Sequence, residues 1–267
     1  MALSFFMRKK PTDDKNSYKP RPEKKKGFFS KKSPEKSSSV TASGPTSSPV
    51  VPINSDKKPF YAFIDASNLF WGGKESMGFG VDYRKLKKYL YDKFNVTKIF
   101  FYNGVRIFDF EYSILDPKPI DLALLVAHLK KMQEEATEKD AALIEKTLSR
   151  INFYQRLEEF GYDLKIKPAK VFYDEDDENQ EKPILKANCD VDMTFDMMRY
   201  MEQYAGLVAM TGDGDFAPVL QYLNSHERKV VVLSRWERTA KEIKKIAGDN
   251  FIDFSRLREI IKLRHQR

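Results

Sequence analysis

The apolar pattern of this chain changes at residue 59. From there, short apolar runs alternate with stretches whose apolar residues recur every three or four positions. Phe60–Ile64, directly after Pro59, reads as a buried strand. Lys98–Tyr102, Leu164–Tyr173, Gly206–Met210 and Lys229–Leu233 read as four more. Between them, Asp82 stands as the N-cap of a helix carrying Leu86, Leu90 and Phe94. A long, mostly helical stretch over 119–160 is apolar at Leu122, Leu125, Val126 and Leu129, then at Leu143, Leu148, Phe153 and Leu157. Helices are expected over 190–203, 216–225, 238–247 and 255–264. Met193, Met197 and Met201 form a stripe one turn apart, which reads as core packing. The alternation predicts a three-layer α/β/α, Rossmann-like domain with a mostly parallel sheet, covering residues 59–267.

Residues 1–58 follow no such pattern. They carry 7 of the 13 prolines and 11 serines, and too little apolar surface to offset the entropy of ordering. They are expected to be a disordered basic tail. The charge divides the same way. The chain of 267 residues has a net charge of +8. The tail holds 14 Lys/Arg against 5 Asp/Glu, or +9, leaving 33 against 34, or −1, for residues 59–267. The basic balance thus belongs to the tail, which argues against a uniformly basic nucleic-acid coat. Within it, Phe5-Phe6-Met7-Arg8-Lys9-Lys10-Pro11 is echoed by Phe28-Phe29-Ser30-Lys31-Lys32-Ser33-Pro34, a repeat that suits a protein partner or RNA.

Composition removes several classes. One cysteine, Cys189, excludes a disulfide framework, and three separated histidines make a structural zinc site a poor reading. No run approaches the roughly 18 apolar residues of a membrane span. The N-terminus lacks the order of a secretory peptide. An intracellular, cytoplasmic protein is expected.

The acids fall where α/β sheets place their chemistry. Asp65 follows the first strand, and Asp213 and Asp215 follow a later one in Thr211-Gly212-Asp213-Gly214-Asp215. In open parallel sheets the ligand site lies beyond the carboxyl ends of strands, at a topological switch point. A third cluster, Asp190-Val191-Asp192-Met193-Thr194-Phe195-Asp196, places Asp192 and Asp196 one helical turn apart. Converging carboxylates repel, and a divalent cation removes the conflict. Oxygen donors alone select a hard ion, Mg²⁺ or Mn²⁺. Such a site suits phosphodiester hydrolysis. The plainer reading is that Asp65 and Asp213 only cap and order turns.

These motifs resemble the NYN domain, a branch of the PIN-like ribonuclease superfamily that includes the LabA-like proteins. The resemblance lies in Phe63-Ile-Asp-Ala-Ser-Asn-Leu-Phe70, Asn188-Cys-Asp-Val-Asp-Met-Thr-Phe-Asp196 and Ala209-Met-Thr-Gly-Asp-Gly-Asp-Phe-Ala-Pro-Val219, over roughly residues 59–255. It departs from the usual pattern at Ala66 and Gly214, and around Lys186 and Asn188. It implies a PIN-like fold and a metal-dependent, endonucleolytic ribonuclease. Asp65, Asp190 and Asp213 would bind metal directly, with Asp215 and Asp192 in support. Asn68, Ser67 and Thr211 are candidates to hold phosphate or the attacking water. Lys74, Arg106 and Arg235 are candidate phosphate contacts, and Trp71 or Phe79 a candidate base stack. RNA is the expected partner, with the tail adding sequence-blind affinity.

Two other chemistries fail on one residue each. A haloacid-dehalogenase phosphatase wants a second acid at position 67, which is serine. A metal-dependent adhesion module wants serine at 69, which is leucine. The surviving alternative is a catalytically silent RNA-binding or adaptor protein built on a nuclease fold.

Overall fold

A computed structural model describes residues 58–66, 79–113, 115, 118–172 and 184–263. Residues 1–57 of the predicted tail, Ser67, Asn68, Trp71, Lys74 and the acidic run 174–178 lie outside the described residues. The described elements run β1 (Phe60–Asp65), α1 (Tyr83–Phe94), β2 (Val96–Val105), α2 (Leu122–Glu135), α3 (Glu138–Glu159), β3 (Asp163–Pro168), β4 (Lys170–Phe172), β5 (Ile184–Lys186) and α4 (Asp190–Arg199). They continue with β6 (Gly206–Met210), α5 (Ala217–Ser225), β7 (Lys229–Ser234), α6 (Lys241–Ala247), β8 (Phe251–Asp253) and α7 (Arg258–Ile261).

Six strands form one sheet in the order β3-β2-β1-β6-β7-β8, and every pairing within it is parallel. Strand alternation sends side chains to two faces. Ala62, Ile64, Phe101, Val208 and Leu233 pack under α1, α2, α3 and α7. Tyr61, Phe63, Phe100, Leu207 and Val232 pack under α4, α5 and α6. The three-layer α/β/α architecture expected from the pattern is therefore the one observed. Burying each such aliphatic or aromatic side chain contributes roughly 1.5–3 kcal/mol before ordering entropy is set against it. Met193 and Met197 are buried in the second layer, with Met201 packed beside them, so the methionine stripe is core.

Asp82 caps α1 as expected, its Oδ1 accepting from the Arg84 and Lys85 amides at 3.1 and 3.2 Å. The single strand expected over 164–173 is instead two. Pro168, which has no N–H to donate, ends β3, and the chain passes into β4, which pairs antiparallel with β5 outside the main sheet. The helix expected over 238–247 starts at Lys241, after a 3-10 turn at Trp236–Arg238. Among the described residues no helix is long and apolar enough to cross a membrane.

The strand order fixes where a site can lie. The chain builds outward from β1 through β2 to β3, then returns to the other side of β1 with β6. β1 and β6 are therefore the switch point, and the crevice opens beyond their carboxyl ends.

Candidate active site at the switch point

Asp65 is the last residue of β1 and only 9% exposed. Beside it, at the end of β6, Thr211 is fully buried and donates its hydroxyl to Asp65 Oδ2 at 3.5 Å. The same Thr211 oxygen accepts the Asp213 amide at 3.2 Å. Asp213 Oδ1 in turn accepts the Asp215 amide at 3.0 Å, capping the 3-10 turn Gly214–Phe216. Asp213 thus does order its turn, as the plainer reading held. That uses one carboxylate oxygen, and the side chain remains exposed.

The turn needs glycine at 212. A Cβ there would lie 2.9 Å from Ser234 Oγ, 3.1 Å from the Arg238 carbonyl and 3.1 Å from Thr239 Oγ1. The Ala240 amide also donates to the Gly212 carbonyl at 2.9 Å. The loop after β7 is therefore laid directly against the turn that carries Asp213.

Asp190 opens α4, its amide held by Asn188 Oδ1 at 2.9 Å. Its carboxyl sits above the ordinary aspartate range, first because burial disfavours the charge, then because Asp65, Asp213 and Asp215 repel it. Lys167 acts the other way. Four aspartates from β1, α4 and the turn after β6 thus share one electrostatic neighbourhood. Among the described residues, no three His, Cys, Asp or Glu side chains stand at metal-ligating spacing. The aspartates are gathered without forming a closed ligand shell.

Asp192 turns to the neighbouring strand. It is exposed and paired with Lys167 Nζ at 2.5 Å, and the same ammonium donates to the Asn188 carbonyl at 2.9 Å. Asp196 is buried and accepts from Tyr102 Oη at 3.0 Å. That bond ties α4 to β2, and burial together with the Asp196 charge pushes the Tyr102 hydroxyl far up.

The basic candidates divide. Arg106 lies just past β2, its guanidinium 4.5 Å over the Phe108 ring. Its Nη1 is buried with no hydrogen-bond partner among the described residues. Arg235 pairs with Glu237 at 2.9 Å, and its side chain is only 18% exposed. Phe79 is not a rim residue. It is 5% exposed in the first core layer, where an aromatic ring gains more from burial than from waiting for a base. Lys167 went unnoticed in the sequence because Lys-Ile-Lys alternates like any half-exposed edge strand. Only the fold brings β3 beside the start of α4.

Cys189 immediately precedes Asp190 and is buried, its thiol pushed up to about 12 chiefly by desolvation. The thiolate is the reactive form. Alkylation of the folded protein at pH 8 should therefore run at least about a hundredfold slower than in denaturant. Fast labelling of the folded protein would contradict this placement.

Residues 60–257 match the sequence profile of the NYN domain. The chain belongs to the NYN domain family. Within it, the "Low amplitude and bright protein LabA" of Synechococcus elongatus is 32% identical over 110 residues. The match covers 41% of this chain and 58% of that protein, little more than half of the relative's length. Among solved structures, a protein of unknown function from Vibrio parahaemolyticus superposes with a TM-score of 0.45 at 17% identity, covering 75% of this chain and 96% of that one. The T5 D15 protein, co-crystallised with metal ions, superposes with a TM-score of 0.36 at 10% identity over 69% of this chain and 59% of that one. Both are loose likenesses of shape. In this NYN domain all three acidic motifs fall inside the matched span.

Proposed function

We propose that this NYN domain is a metal-dependent ribonuclease that hydrolyses RNA phosphodiester bonds endonucleolytically. Residues 59–267 would be the nuclease unit and residues 1–58 an appended basic tail. The observation that carries the reading is the convergence of Asp65, Asp190, Asp213 and Asp215 at the β1/β6 switch point. Like charges gathered from separate elements cost stability, and a structure keeps them where a cation or a reaction uses them.

The donors are all carboxylate oxygens, which fit Mg²⁺ or Mn²⁺ and not a softer ion. Asp65, Asp190 and Asp213 would hold it, with Asp215 in support. Bound there, the ion would neutralise phosphate charge and supply a water of lowered pKa. The chain's own residues do the rest. Thr211 orients Asp65 and Asp213 through one hydroxyl. Lys167 holds Asp192 and the Asn188 carbonyl, and so sets where Asp190 enters the site. Asp192 therefore acts on the site through Lys167, a supporting role. Arg106, just past β2 and with a buried N–H that lacks an acceptor among the described residues, would take a phosphate oxygen. Ser67, Asn68, Lys74 and Arg235 complete the proposed substrate contacts.

The test is cleavage of labelled single-stranded and structured RNA, with DNA as control, in Mg²⁺, Mn²⁺ or EDTA. Internal cuts in RNA with either ion and none in EDTA are expected. Inert protein across all substrates and both ions would sink the nuclease reading and leave the non-cleaving RNA-binding adaptor. The tail makes a separate prediction. Removing residues 1–58 takes away a +9 segment, so RNA affinity should fall and its dependence on salt should flatten by several units of slope. An unchanged slope would exclude the tail from binding.

A further inference from the structure

The loop after β7, which packs on the acidic turn, carries an exposed aromatic ring. Trp236 is 54% exposed, although indole is among the side chains that gain most from burial. Its backbone is nonetheless fixed. Asp253 accepts hydrogen bonds from the Trp236 amide and from the Ser255 amide and hydroxyl. Thr239 Oγ1 donates to the Arg235 carbonyl at 2.5 Å, and the Ala240 amide binds the Gly212 carbonyl. A fixed turn thus presents a half-exposed ring, and the same loop packs through Thr239 and Ala240 on the turn that carries Asp213. Phe251 meets that ring edge to face at 5.3 Å, and Lys244 Nζ stands 4.4 Å from its centroid. From 235 to 245, five residues are Lys or Arg and two are Glu, a local +3 on a unit of −1.

We propose that Trp236 and Lys244 form a base-stacking subsite for single-stranded RNA, leading the strand toward the carboxylates. The ring offers a face to any base, and Lys244 with the exposed Lys241 and Lys245 offers charge to the phosphates on either side. Charge complementarity commits the surface to a polyanion, and the exposed indole commits it to unpaired bases. A duplex keeps its bases stacked on each other and cannot use the ring. The subsite takes its ligand from the ribonuclease reading, but its test is binding and does not need cleavage.

The chain has two tryptophans. Full-length protein carrying Trp71→Phe, with Asp213→Asn to prevent cutting, leaves Trp236 as the sole indole reporter. In EDTA, single-stranded oligoadenylate and oligouridylate should both quench its fluorescence saturably, and duplex RNA should quench it far less. Trp236→Ala should weaken single-strand affinity by about five- to a hundredfold, the range for loss of one base stack, while Trp236→Tyr stays within about threefold of the parent. Lys244→Gln should lower the salt slope by about one. All variants should show the parent's circular dichroism and melting temperature. No quenching, together with unchanged affinity on Trp236→Ala, would overturn the subsite and leave the loop to a protein partner. The two readings fail separately. Quenching without cleavage of RNA by wild type in Mn²⁺ keeps the subsite and removes the nuclease. Cleavage with an unchanged KM on Trp236→Ala removes the subsite and keeps the nuclease.

Discussion

Asp65→Asn and Asp213→Asn should each reduce RNA cleavage by at least about a thousandfold while leaving a folded protein that still binds RNA. The size follows from what each carboxylate would do, since losing one element of transition-state charge stabilisation already costs about a hundred- to a thousandfold. Asparagine keeps the shape, and Thr211 can still donate to the amide oxygen at position 65. Asp190→Asn separates catalysis from stability. An acid whose folded pKa is raised costs stability once pH exceeds its unfolded value, and burial and three aspartates raise that of Asp190. In EDTA at pH 7, Asp190→Asn should therefore melt about one to a few degrees higher than wild type, although it cuts as poorly as the other two variants. Adding Mn²⁺ should reverse the order, because only the intact carboxylate set gains from binding the ion. Thermal melts with and without Mn²⁺, beside the cleavage assay, read both effects. An Asp190→Asn variant that melts below wild type without metal would show that the cluster is not strained. Wild-type cleavage by Asp65→Asn would remove that residue from the site.

Burial decides what the sequence could reveal. The strands of the switch point are uniformly buried and flanked by short turns, so Phe60–Ile64 and Gly206–Met210 are legible as apolar runs, and the aspartates at their ends follow. The layers follow too, because period-two and period-3.6 patterns are imposed by burial itself. Three-residue strands such as β5 and β8 are too short to carry a period. Pairing side chains were equally hidden. Arg235 reads as a rim cation, and only the fold shows that Glu237 two residues on pairs with it. Asp192 reads as a supporting acid, and only β3 shows that Lys167 is its partner. Phe79 sits in a glycine-rich stretch that suggests a surface loop, yet the first core layer closes over it. Each of these depends on a tertiary neighbour far away in sequence, or on a turn whose shape composition does not set.

Gly104 is the position where fold and site are joined most tightly, and its replacement should show it. A Cβ at 104 would come 2.2 Å from Ala187 Cβ and 3.2 Å from Ala169 Cβ. Neither methyl can rotate away, and Tyr154 Oη holds the Gly104 carbonyl at 3.0 Å from the other layer. Gly104→Ala must therefore push out Ala187, which leads within three residues to Asp190. Overpacking of this kind costs about 1–3 kcal/mol, or a fall in melting temperature of about 2–12 °C for a domain of this size. The displaced segment carries Cys189 as well, so native alkylation should accelerate in step with the loss of cleavage. The contact is nearly a single pair of methyl groups, which makes the cause separable from the effect. Ala187→Gly alone should cost at most about 1 kcal/mol of backbone entropy. Combined with Gly104→Ala it moves the methyl from one side of the contact to the other, and it should restore most of the stability, the slow alkylation and the cleavage. Melting, alkylation and activity measured over the four proteins give a coupling energy, expected at about 1–2 kcal/mol in favour of the double variant. Strict additivity would mean that Ala187 is not what excludes a side chain at 104, and that the path from β2 to Asp190 runs elsewhere.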